Sequence, residues 1–174
     1  MGSSPSNVSR PWAVGASARA TIASSPEHLW EWIADPTRHP TLAGSGEPQS
    51  IQMVDGQQPG LGAFFEAQQK LFGFLRYVAR SEIVIYEPYR HFRFLVGGLS
   101  VWEFQLEPAS GGTLVTHRHR LEPPATMRLL SPIISRRSRQ NADNMARTLQ
   151  NLARLTGAPP PNDIQVSYGP PLLT

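Results

Sequence analysis

Between Gln49 and Leu121 the chain alternates β-rich segments with short clusters of turn residues, and this spacing restricts the fold more than any other feature. The segments run about Ser50 to Val54, Gly62 to Lys70, Phe74 to Tyr86, His91 to Val96, Val101 to Leu106 and Thr113 to Leu121. The breaks fall at DGQQPG, at Phe72 and Gly73, at EPYR, at Gly97 and Gly98, and at PASGG. They are short enough to join antiparallel neighbours, so the region reads as one antiparallel meander.

Helical signals flank the meander. Before it, Ala13 to Ala23 is small and apolar and reads as a first strand, broken at Ser24, Ser25 and Pro26. Ser25 supplies an N-cap, Pro26 the first helical position and Glu27 an acidic first turn, with Leu29, Trp30 and Ile33 at helical spacing. Asp35 and Pro36 repeat the signal, which predicts a second short helix to about Leu42. After the meander, Ser131 and Pro132 start and Gly157 stops the longest helix.

At about 100° per residue, Ile134, Met145 and Leu152 fall on one side of that helix, flanked by Leu149 and Leu155. Arg136, Arg139, Asp143, Arg147, Gln150 and Arg154 fall on the other. The apolar side also carries Ser138 and Asn141, with Arg137 at its edge. Polar groups facing a sheet cost a few kcal/mol unless partnered, so neighbours or a hydrated, ligand-holding cavity must satisfy them.

A length of 174 residues, against roughly 150 per domain, predicts a single domain over residues 12–157. Residues 1–11 read as a flexible tail, and residues 158–174, with five prolines in 17 positions, as a Pro-rich one. Whether Ile164, Val166 and Tyr168 dock that tail is open. With 40% apolar residues the chain can bury a core, and without cysteine it has no disulfide, thiolate metal site or cysteine nucleophile. No apolar run approaches the roughly 20 residues of a membrane span, and the first residues lack a signal-peptide plan, so a soluble, cytoplasmic protein without membrane insertion is expected. The net charge of +3 is local: Ala125 to Gly157 holds six Arg and one acid, Asp143, giving +5. No nucleic-acid motif accompanies that stripe, so it reads as a solvated helix face and no nucleic-acid partner is expected.

The segment IASSPEHLWEWIADPTRHP resembles the opening signature of the SRPBCC, or START-like, superfamily, especially its polyketide cyclase/dehydrase branch. The matching residues are Pro26, Glu27, Leu29, Trp30, Asp35 and Pro40, followed by Gly60 and Gly62, by Glu87 and Pro88, and by GGTLV at Gly111 to Val115. The resemblance covers about Ala13 to Thr156 and implies an α+β helix-grip fold. In that fold a curved antiparallel sheet of about seven strands wraps around a long C-terminal helix, with two short helices after the first strand. Thr41 and Leu42 stand where an aromatic commonly follows the second-helix proline. The sequence does not place the Arg and aromatic set of aromatase/cyclase members one by one, so what the resemblance implies is a cup with an apolar ligand inside, and the cyclase activity does not carry over.

Within that frame, His117 and His119 lie two apart in a strand and share a face with Val115 and Leu121, while Arg118 and Arg120 point away. The two imidazoles either orient a polar ligand group, act as acid and base, or hydrogen-bond across strands near a rim. Glu66 shares parity with Phe64, and Glu82 with Val84 and Tyr86, so either carboxylate is a candidate general base inside the cup unless a bulge reverses it. Trp30, Phe64, Tyr86, Phe92, Phe94, Trp102 and Phe104, with Ser138, Asn141 and Met145 of the last helix, are the candidate lining. Nothing supplies a third converging metal ligand at recognisable spacing, and neither metal nor cofactor is expected. Three functions follow: a binder of a lipid, polyketide or isoprenoid-like molecule; a cofactor-independent cyclase, aromatase or dehydratase using His117, His119 and Glu66; or, with the cup merely structural, an Arg face of the last helix that meets an anionic membrane or a protein partner. The sequence leaves monomer and homodimer equally open.

Overall fold

The structure, a computed structural model, describes residues 14–71, 73–121 and 131–169. Strand β1 (Val14–Ile22) leads into helix α1 (Pro26–Ile33), a 3-10 turn (Pro36–Arg38) and the one-turn helix α2 (His39–Leu42). Six strands follow: β2 (Pro48–Met53), β3 (Phe64–Leu71), β4 (Leu75–Glu87), β5 (His91–Val96), β6 (Ser100–Ala109) and β7 (Gly112–Leu121). Helix α3 (Ser131–Leu155) and strand β8 (Gln165–Gly169) complete the described elements. The sheet order is β2-β3-β4-β5-β6-β7-β1-β8, all antiparallel, so the meander closes through β7 onto β1.

The capping signals act as expected. Ser25 accepts from the backbone N–H of His28 at 3.3 Å, and Asp35 from that of Thr37 at 3.0 Å. Strand β8 falls in the Pro-rich segment read as a tail. It pairs with β1, Arg139 lies over Tyr168 at 5.7 Å, and Ile164 packs on the core. It is the eighth strand, one more than expected.

The grip of sheet on helix follows from side-chain size. The inner face of β1 is Ala16, Ala18 and Ala20, all buried, and these small residues let α3 approach the sheet closely. From α3, Met145, Leu149 and Leu152 are essentially fully buried, each contributing about 1.5–3 kcal/mol by leaving water. Arg136, Arg139, Asp143, Arg147, Gln150 and Arg154 are exposed, as the helical pattern requires, while the Ile134 side chain lies outside the described residues.

The outer face holds a buried carboxylate. Glu103 on β6 accepts from Arg93 Nε at 2.7 Å and from Arg118 Nη1 at 3.1 Å, with His91 Nε2 3.6 Å away. Burial pushes its pKa up, but the Arg93 hydrogen bond and charge, His91 and Arg118 outweigh burial and hold it below the ordinary value. A carboxylate lowered in the fold adds stability that is complete above its unfolded pKa and is lost as pH falls through its folded one. Because both arginines remain partly solvated, Glu103→Gln should cost a moderate amount, about 2 kcal/mol, measurable as a lower urea midpoint near neutral pH. No change in midpoint would mean the cluster contributes nothing net.

Candidate functional site: an apolar cavity with three histidines

The curved sheet and α3 do not fill the space between them. A cavity of about 320 Å3 remains, bounded by α2, the inner faces of β2 to β7 and the middle of α3, from Arg137 to Thr148. Its walls are mainly apolar, with Leu42, Ile51, Phe65, Phe94, Trp102, Phe104 and Met145 prominent among them. Tyr77 and the Arg137–Glu47 pair also line it, and Tyr77 is 44% exposed, which places it at the opening. Arg137 Nη2 donates to both oxygens of Glu47, so each charge neutralises the other. Burial, and secondarily the Glu47 charge, push the Tyr77 pKa up against the opposing effect of Arg137.

Both histidines of β7 face this cavity, as alternation along an unbulged strand requires. Each is cross-strand from an aromatic, His117 from Phe104 and His119 from Trp102, and from an alanine of β1, Ala18 and Ala16. His119 is fully engaged. Asn141 Nδ2 donates to its Nδ1 at 3.1 Å, which leaves Nε2–H to donate to Ser100 Oγ at 2.8 Å. Burial, with the Arg137 charge, lowers its pKa to about 4. His117 differs: its ring stacks on Phe104, centroids 3.9 Å apart, and its buried Nδ1 has no hydrogen-bond partner among the described residues. Burial, then the charges of His39 and His119, lower its pKa to about 3.

The third imidazole, His39 of α2, is absent from the candidate list read from sequence. It is 7% exposed, lines the cavity, and donates from Nε2 to the carbonyl of Ile33 at 2.8 Å. Its ring centroid lies 5.9 Å from those of Phe92 and Phe94 and 6.4 Å from that of Phe104. Burial lowers its pKa against the raising effects of the Ile33 bond and the Asp35 charge. The available signal was its i, i+3 spacing from the buried Leu42. Asn144 and Thr148 of α3 also line the cavity and were likewise missed.

Several sequence expectations are corrected here. Glu66 faces outward: the inner face of β3 is Phe65, Ala67 and Gln69, and Glu66 sits opposite Arg80 on the other side. Phe64 is outward too, under the Arg80 guanidinium at 4.9 Å. Glu82 pairs across from Phe64 on that outer face. A register shift between Ile83 and Ile85 then reverses the parity, which sends Tyr86 inward despite its even spacing from Glu82. Trp30, Tyr86 and Phe92 pack edge to face beside the cavity and outside its lining, Trp30 and Phe92 buried and Tyr86 partly so, with Trp30 and Tyr86 centroids 5.3 Å apart. Ser138 is buried and donates to the carbonyl of Gly15, outside the lining. Phe94, Trp102, Phe104, Asn141, Met145, His117 and His119 are in the lining. Among the described residues no group of three or more His, Cys, Asp or Glu is arranged to hold a metal ion, and no helix is long and apolar enough to cross a membrane.

A curved antiparallel sheet gripping a long helix around an apolar cavity defines a helix-grip protein. The chain belongs to the polyketide cyclase/dehydrase and lipid transport family, whose model matches residues 13–150. No curated protein matches the sequence significantly. Among solved structures, the di-domain ARO/CYC StfQ from the steffimycin biosynthetic pathway superposes with a TM-score of 0.67 at 14% identity, over 85% of this chain and 52% of that one. This chain therefore spans about half the length of that di-domain protein. Ara h 8.0201 superposes with a TM-score of 0.61 at 14% identity, over 83% of this chain and 99% of that one. Protein NE0264 from Nitrosomonas europaea gives 0.59 at 12% identity, over 86% and 97%. Likeness at these identities is likeness of fold.

Proposed function

We propose that this protein binds a hydrophobic small molecule, of lipid, polyketide or isoprenoid-like chemistry, between the sheet and α3. The observation that carries this reading is the cavity itself: about 320 Å3, apolar over most of its wall, with a few inward polar groups. That volume lies at the low end of small-molecule sites, which favours a compact, ring-bearing ligand over a bulky one. Membership of a family described by polyketide cyclisation, dehydration and lipid transport supports the same ligand class.

The cyclase or dehydratase reading is the weaker one. Glu66 and Glu82 lie on the far face, and the one lining carboxylate among the described residues, Glu47, is held by Arg137. His119 has both ring nitrogens occupied, and pKa values of about 3 and about 4 make His117 and His119 feeble bases near pH 7. What supports it is the unpartnered His117 in an apolar site.

Titration with prodan, a neutral naphthalene-based dye, tests the binding reading. One equivalent should bind with blue-shifted emission. Ala79→Trp, which projects an indole from β4 into the empty volume, should weaken binding at least tenfold while leaving the melting temperature within a few degrees. Dye that fails to bind the wild type, or binds both chains equally, would contradict it.

A further inference from the structure

We infer that the cavity contains a subsite for an uncharged hydroxyl, alcohol or phenol, on an otherwise apolar ligand, formed by the imidazole of His117 where it stacks on Phe104. This rests on the binding reading above and specifies the polar part of the ligand.

Three observations carry it. First, His117 is 5% exposed, lines the cavity and leaves a buried ring nitrogen without a partner. A buried polar atom in that state is costly, and a ligand group that pairs with it recovers the loss. Second, the neighbouring imidazole His39 spends its Nε2–H on the Ile33 carbonyl and makes no hydrogen bond to His117. His117 has no bond to fix its tautomer and can present either an N–H or a lone pair. A hydroxyl, which both donates and accepts, satisfies His117 in either tautomer; a purely apolar group satisfies neither. Third, the wall offers no free positive charge among the described residues. Its titratable groups are His39, Glu47, Tyr77, His117, His119 and Arg137. Arg137 is neutralised by Glu47, and burial keeps all three histidines uncharged near neutral pH. An anionic ligand would therefore enter a low-dielectric site without a counter-ion.

Displacement of prodan by three probes of one shape, 2-methylnaphthalene, 2-naphthol and 2-naphthoate, reads the subsite near neutral pH. The expected order has 2-naphthol about tenfold tighter than 2-methylnaphthalene, and 2-naphthoate weakest. In His117→Phe, which keeps the stack on Phe104, the naphthol advantage should disappear while 2-methylnaphthalene binds within about twofold of wild type. Should that variant not fold, nitrogen NMR of wild type replaces it: the His117 ring signals should move with 2-naphthol and stay in place with 2-methylnaphthalene. Equal affinities for naphthol and methylnaphthalene in wild type, or an advantage that survives in His117→Phe, would overturn the subsite while leaving the cavity reading intact. Failure of all three probes to displace dye, or of dye to bind, would overturn both.

Discussion

Acidification from neutral pH to about 4.5 should remove about 5 kcal/mol of stability, far more than carboxylate titration alone would remove in that window. The source is the buried imidazoles. In the unfolded chain His117 and His119 titrate at the ordinary imidazole value of about 6.5; in the fold they titrate at about 3 and about 4. Between those values the unfolded state binds more protons than the native state, so stability rises with pH and falls as pH drops below 6.5. Each group contributes a little over ~1 kcal/mol per pH unit, and two groups over two units give the total. His39, also lowered by burial, acts with the same sign. Urea midpoints measured across this range should fall steeply. In His117→Phe the slope should lessen by about one proton. Flat stability between pH 6.5 and 5 would mean that the imidazoles are not held neutral in the fold.

Gly44→Ala should be strongly destabilising, at about 3 kcal/mol or more. Gly44 follows α2 where the chain crosses α3. An added Cβ would stand 2.5 Å from Arg147 Cβ and 2.8 Å from Thr148 N, and closer still to the Asn144 carbonyl oxygen. Two of these are helix backbone atoms, which cannot swing aside as the end of a flexible side chain can. The loop would have to lift, stretching the bonds that hold it: Gly44 N–H to Thr148 Oγ1 at 2.9 Å, and Asn151 Nδ2 to the Leu42 carbonyl at 3.2 Å. Because Ala43, Ser45 and Thr148 line the cavity, ligand affinity should fall together with stability. A melting temperature equal to wild type would show that the loop and helix are not in this contact.

The meander was legible because turn residues punctuate it and because β7 alternates without a bulge, so two histidines two apart had to share the inner face. The helices were legible from their caps, Ser25 and Asp35. What could not be read has definite causes. Phe64 and Phe65 are adjacent aromatics, so hydrophobicity gave no sign of which one faces inward, and choosing Phe64 carried Glu66 inward with it. The shift between Ile83 and Ile85 separates Glu82 from Tyr86 by a register change that leaves no mark in composition. His39 sits in a helix of four residues, too short to display a period. Strand β8 is five residues flanked by prolines, and its partner β1 lies at the other end of the chain, beyond any local pattern.

The decisive experiment is native mass spectrometry of the chain expressed and purified without detergent, run beside Ala79→Trp and followed by identification of anything released on denaturation. A binding cavity requires a one-to-one adduct on the wild type, released as an uncharged, apolar, hydroxyl-bearing molecule, and a bare mass for the variant. Equal adducts on both chains, or a bare wild type that stays bare after equilibration with prodan, would contradict a ligand cavity between sheet and helix.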